Sequence, residues 1–338
     1  LNKKLGQRTI KFETMPYIKG YAAVAGKAEK EGPLGAYFDL TFDDDLWEEK
    51  TWELTERKMF LNAVKMAVAR ADLTMQEIDF LFGGDLLNQI ITAGFAAREL
   101  SVPFIGLYGA CSTMSESILA GSVFLEGGFA DNVACATASH MATAERQYRY
   151  PLELGTPKTP TSQITVTGSG SVVLSSTGNP GMPRVTHATT GRVIDMGITD
   201  ANDMGSAMVP AALETILTHF EDTGRNPDYY DLVITGDLGI FGSSTMVRKA
   251  GEQGADLSHK HVDCGAEIFK GKKNIYSGGS GCGCGGSVLT GYYLKKMQEG
   301  KLKKILFVAT GALLSPTSTL QGETIPSIAH AIAIETEV

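Results

Sequence analysis

The feature that most constrains this chain is that one unit of it is written twice. Residues 78–86 read I-D-F-L-F-G-G-D-L, and residues 230–238 read Y-D-L-V-I-T-G-D-L. In both, an Asp opens an apolar run and Gly-Asp-Leu closes it. Downstream of each lies a Gly-rich loop entering an apolar helix, Y-G-A-C-S-T-M-S-E-S-I-L-A-G at 108–121 and G-G-S-G-C-G-C-G-G-S-V-L-T-G at 278–291. Another apolar strand follows each helix, at 132–138 and 304–311. Two copies of a strand-loop-helix-strand unit predict a pseudo-twofold molecule whose site is assembled where loops of both halves meet.

Composition narrows the function classes. A formal net charge of −8 without Lys/Arg runs argues against a nucleic-acid partner. No apolar stretch approaches the roughly 18–20 residues of a membrane span, which predicts a soluble protein. The first residues, L-N-K-K-L-G-Q-R-T-I, carry no apolar signal core, so no signal peptide is expected. Five cysteines, several in apolar or Gly-rich segments, do not form a disulfide framework. Gly, at 39 residues, gathers at the ends of apolar runs, where tight turns and close backbone approach occur.

Strands alternate with helices along the chain, which predicts an α/β fold with largely parallel sheets. Helices are expected over 54–71, 94–100 and 208–220, the first introduced by Asp45 and Glu48 at capping-box spacing. Strands are expected at 19–26, 104–107, 163–175 and 184–195. The first half is placed at about 15–195, including a loop excursion over 139–165, and the second at about 196–338.

Cys111 is the centre of chemical interest. It lies between a strand and a helix rich in small residues, and a thiol at a helix N-terminus tends toward the thiolate. A small buried cysteine that only fills space is the alternative. Asp85 and Asp237 close the two repeat strands. They either bring two carboxylates to one pocket or cap the helices that follow. His140 follows the strand at 132–138, and either donates to an anionic ligand or satisfies a backbone carbonyl. His259, His261 and Cys264 have zinc-ligand types without a strong ligand spacing. The acidic run Asp43–Asp45 lacks the regular spacing of a calcium loop and reads as a solvated loop.

A duplicated unit with Cys at this elbow resembles the thiolase and β-ketoacyl-synthase superfamily over nearly the whole chain. That implies a thiolase-like α/β fold, two pseudo-symmetric halves in α-β-α-β-α layers. Y-G-A-C-S-T-M-S-E-S, V-I-T-G-D-L-G-I-F-G and S-G-G-S-G-C-G-C-G-G-S-V-L-T-G-Y-Y-L resemble, within it, a stage V sporulation family of spore-forming bacteria. Condensing enzymes of the superfamily pair the cysteine with a His and an Asn or His. On this chain those positions fall at Gly236 and Cys282, neither of which supplies an imidazole base or an amide donor. Removing one oxyanion donor costs about 3 kcal/mol, so ordinary condensation is not expected, and Cys111 is read as a vestigial nucleophile.

The sporulation resemblance implies a non-catalytic protein that binds dipicolinic acid (pyridine-2,6-dicarboxylate), alone or as its calcium chelate, for uptake during sporulation and release in germination. The ligand-binding set is then Asp85, Asn88, Cys111, His140, Gly236, Asp237 and Cys282, with no resident cofactor or metal and calcium either assisting binding or arriving with the ligand. The same resemblance implies other proteins of the stage V A group as partners and peripheral placement at the spore inner membrane through them, and the superfamily resemblance implies a homodimer. Two other functions stay open: an acyltransferase using Cys111 on coenzyme A thioesters, and a scaffold subunit with an empty pocket.

Overall fold

The computed structural model describes residues 3–147 and 158–337; residues 148–157, within the expected excursion, lie outside the described residues. Ten strands form two five-strand runs with one connectivity. From its edge, the first run is Phe104–Gly106, Phe80–Gly84, Asn132–Ser139, Gly168–Ser175 and Tyr17–Ala25. The first three are parallel, and each of the last two is antiparallel to its neighbour. The second run, His261–Asp263, Leu232–Thr235, Lys304–Ala312, Ser327–Glu335 and Arg184–Thr189, repeats these senses strand for strand. A single pairing, Arg184 with Tyr17, joins the runs.

Two helices lie between the runs and touch both, Thr113–Glu126 and Cys282–Val288. Every residue of the second is buried. Helices Trp52–Arg70 and Met204–Thr223 cover the outer faces, so the layers run α-β-α-β-α. The inner layer fits because its contact residues are small. A Cβ on Gly170 would stand 2.2 Å from the Gly286 carbonyl oxygen, so strand and central helix meet backbone to backbone.

Helix Trp52–Arg70 turns Met59, Phe60, Ala63, Val64 and Ala67 inward, all with no exposure. Burial of a side chain such as Phe60 contributes about 1.5–3 kcal/mol. Its N-cap is Thr51, whose hydroxyl accepts from the Leu54 N–H, and not the expected Asp45. Trp47 and Glu48 take positive φ instead, turning the chain ahead of the helix. Helix Met204–Thr223 is longer than expected, starts on the Asp203 carboxylate and stops at left-handed Gly224. Among the described residues no helix is long and apolar enough to cross a membrane.

Candidate functional site

The strand Phe104–Gly106 hands the chain to an elbow, where Ala110 takes φ +51°. That conformation costs an L-residue roughly 1–2 kcal/mol, and neighbouring side chains hold it. Ser112 Oγ donates to Gly109 O at 2.7 Å, and Thr113 Oγ1 donates to Ala110 O at 2.7 Å. Gly109 N donates to Thr113 Oγ1 at 3.1 Å. Cys111 is thereby fixed at the floor of a cavity of about 390 Å³.

Both halves build that cavity. Gln163, Thr165 and Ser280 share the floor with Cys111, while Leu86, Tyr108, Met204, Met208, Leu314 and Leu320 form an apolar wall and mouth. The short parallel pair Gln163–Thr165 and Gly278–Ser280 supplies the floor. Gln163 Nε2 donates to Asp237 O and Gly279 O, both at 2.8 Å, tying the end of the second repeat strand to the Gly-rich loop. No described lining residue is Lys, Arg or His.

Asp237 stands behind this floor with no exposure. Its carboxylate accepts from Thr310 Oγ1 at 2.6 Å and from Ser280 Oγ and Gly281 N, each at 2.9 Å. Burial raises its pKa despite these donors. Ser280 Oγ lies 4.0 Å from the Cys111 sulfur. Burial first, and the Asp237 charge second, push the Cys111 thiol well above its ordinary pKa. The expected drift toward thiolate is therefore overturned: the helix end is outweighed by desolvation and a neighbouring carboxylate. Replacement of Asp237 by Asn is expected to speed iodoacetamide alkylation of Cys111 several-fold at fixed pH, measured by mass spectrometry. An unchanged rate would show that Asp237 does not hold the thiol neutral.

The remaining residues of the expected binding set do not line the cavity. Asp85 is buried, and its oxygens accept from Leu87 N at 2.8 Å and Ala93 N at 2.7 Å, which caps helix Ile91–Leu100. Burial raises its pKa to about 6. Its repeat partner Asp237 does not cap the helix that follows its strand; that helix, Gly239–Glu252, is started by Asp263, which accepts from Leu238 N and Gly239 N. Asn88 is exposed on a neighbouring groove that shares Tyr108 and Leu314 with the cavity. His140 accepts from Ala142 N at Nδ1, which leaves the proton on Nε2 to donate to Asp45 O at 2.8 Å. Both nitrogens are spent on backbone, and burial lowers its pKa.

A side chain at Gly236 would meet Ala309 Cα at 3.1 Å, so this position faces packed strand and not cavity. Cys282 is buried and donates its S–H to Ala138 O at 3.0 Å. His261 is likewise taken, by Thr235 Oγ1 at 2.8 Å, and among the described residues no cluster has a metal-site arrangement. In the acidic run, Asp44 closes a turn on Leu46 N and Trp47 N. Sequence reasoning missed Ser280, Gln163 and the methionines. Ser280 sat two residues from Cys282 in a loop already singled out, whereas nothing marked Gln163.

Comparison with known proteins converges on one family. The family model for stage V sporulation protein AD matches residues 6–335. Stage V sporulation protein AD of Bacillus subtilis (strain 168) is 47% identical over 333 residues, covering 98% of each chain. Among solved structures, 3-oxoacyl-[acyl-carrier-protein] synthase III of Aquifex aeolicus aligns with TM-score 0.61 at 16% identity, over 95% of this chain and 99% of its own. Xanthomonas campestris OleA with bound cerulenin aligns with TM-score 0.63 at 16% identity, over 98% and 97%. At such identity these two show a shared fold.

Proposed function

Since the chain belongs to the stage V sporulation protein AD family, we propose that it is a non-catalytic binding protein of the spore that holds dipicolinic acid in the Cys111 cavity. The observation that carries this reading is a cavity kept on a condensing-enzyme fold while the means of activating its thiol are gone. Cys111 is held neutral, Gly236 and Cys282 face packed backbone, and the one imidazole of the expected set, His140, is spent on backbone groups. A thiol in that state is a poor nucleophile.

The cavity's charge says which form of the ligand it favours. A free dipicolinate dianion would approach the buried Asp237 carboxylate behind the floor. The calcium chelate carries no net charge and avoids that repulsion. About 390 Å³ with an apolar wall suits one flat ring of this size. The ligand serves uptake during sporulation and release in germination, and the protein sits peripherally at the spore inner membrane beside other proteins of its group. Titration calorimetry tests this: saturable heat with calcium dipicolinate and at least tenfold weaker binding with chelator present are expected. Equal affinity with and without chelator would refute the charge argument.

A further inference from the structure

A second groove, of about 530 Å³, shares no residue with the Cys111 cavity and is lined almost wholly by polar side chains. It sits where the halves meet. Strand Tyr17–Ala25 and the end of helix Trp52–Arg70 come from the first half, helix Leu294–Gln298 from the second. The nearly buried Asp39 carboxylate ties them together: its Oδ1 pairs with Arg70 Nη2 at 2.9 Å and Lys295 Nζ at 2.7 Å, and its Oδ2 accepts from Ala23 N at 2.8 Å. Burial opposes its ionisation, but these partners outweigh burial and hold its pKa below the ordinary value. One carboxylate is thus shared by two cations. A third, Lys19, lines the same groove with no hydrogen bond or ion pair among the described residues.

The remaining carboxylates nearby are engaged. Glu299, also on the groove, pairs with Lys296 at 3.1 Å and Lys301 at 2.7 Å. Glu77 feels the Lys19 charge, but its carboxylate accepts from Thr74 N and Oγ1, both at 2.8 Å. Five cations therefore face three carboxylates, on a chain whose net charge is −8. Like charges gathered this way repel one another, and an anion bound among them relieves that repulsion. Gln298 adds a neutral donor: its Oε1 accepts from Tyr21 OH at 2.6 Å, which leaves the Nε2 hydrogens unspent. The Arg70 fork is occupied by Asp39 and, through Nη1, by Tyr21 O at 3.0 Å. A planar carboxylate gains no edge-on pairing there. Recognition falls to the ammonium of Lys19, a compact point charge that favours high charge density. No residue of the groove is a large exposed apolar side chain, so the anion belongs to a dissolved compound.

We propose that this groove binds a soluble phosphate compound of at least two negative charges, with Lys19 and Gln298 contacting it and Arg70 and Lys295 adding their charge. The site does not depend on what fills the Cys111 cavity. The full chain would be titrated by calorimetry with sodium pyrophosphate at neutral pH and fixed ionic strength, without divalent cations, and separately with sodium acetate. Saturable binding of pyrophosphate, weakened as salt shortens the screening length, and no binding of acetate are expected. Lys19→Gln should weaken pyrophosphate binding at least about tenfold, the loss of one charge-assisted hydrogen bond. Because an uncompensated cation is removed, its melting temperature without ligand should be unchanged or higher. Gln298→Ala, at an exposed position, should weaken binding about threefold or more. No saturable heat with pyrophosphate, acetate bound as tightly as pyrophosphate, or folded variants that bind like the parent would each overturn the proposal.

Discussion

Cys111→Trp is expected to abolish calcium dipicolinate binding, a loss of at least about 100-fold, or ~2.7 kcal/mol. The residue is 8% exposed at the cavity floor, with Ser280 4.0 Å away and Asp237 behind it. An indole there has no retreat, since the elbow is pinned by Ser112 and Thr113, and must project into the ligand's space. Cys111→Ser separates this from chemistry: it preserves the cavity while removing the sulfur nucleophile. A non-covalent binder should keep affinity within about threefold, because only one buried polar atom changes. Loss of binding in the serine variant, or an acyl adduct on the parent seen by intact-protein mass spectrometry, would instead favour acyl transfer. Full binding by a folded tryptophan variant would move the ligand out of the cavity.

The sequence made the architecture legible because duplication and apolar runs are local signals. The repeat strands fall at Phe80–Gly84 and Leu232–Thr235, within the two matching segments, and the elbow at Cys111 is where the motif put it. The site was less legible because side-chain roles are set by neighbours far along the chain. Asp85 and Asp237 occupy matching positions after matching strands, yet Asp85 caps a helix while Asp237 anchors the Gly-rich loop. The difference comes from Asp263, which takes over the helix start in the second half, and from Ser280 and Thr310, which engage the freed Asp237. No local pattern at residue 237 announces either partner. His140 follows the same logic, since its Nε2 partner is a carbonyl 95 positions earlier in the chain.

Gly311→Ala should both destabilise the fold and disturb the site. A Cβ at this position would lie 2.2 Å from Gly109 O and 3.2 Å from Ser112 N. Neither side yields readily. Gly311 is in the strand Lys304–Ala312, hydrogen-bonded along its length to Ser327–Glu335. Gly109 O already accepts from Ser112 N and Ser112 Oγ, the bonds that shape the elbow. Overpacking of this kind costs about 1–3 kcal/mol, read as a fall of a few degrees in melting temperature. Displacement of Gly109 moves Cys111, so ligand affinity should drop at least tenfold. Gly94→Ala is the matched control: nothing lies within 4 Å of its Cβ, and the site is interior to helix Ile91–Leu100. There alanine should stabilise by about 0.5–1 kcal/mol through lower backbone entropy in the unfolded chain. Opposite signs at the two glycines would establish that strand and elbow touch through bare backbone; the same small effect at both would mean the elbow is free to move and Cys111 is not held where the cavity needs it.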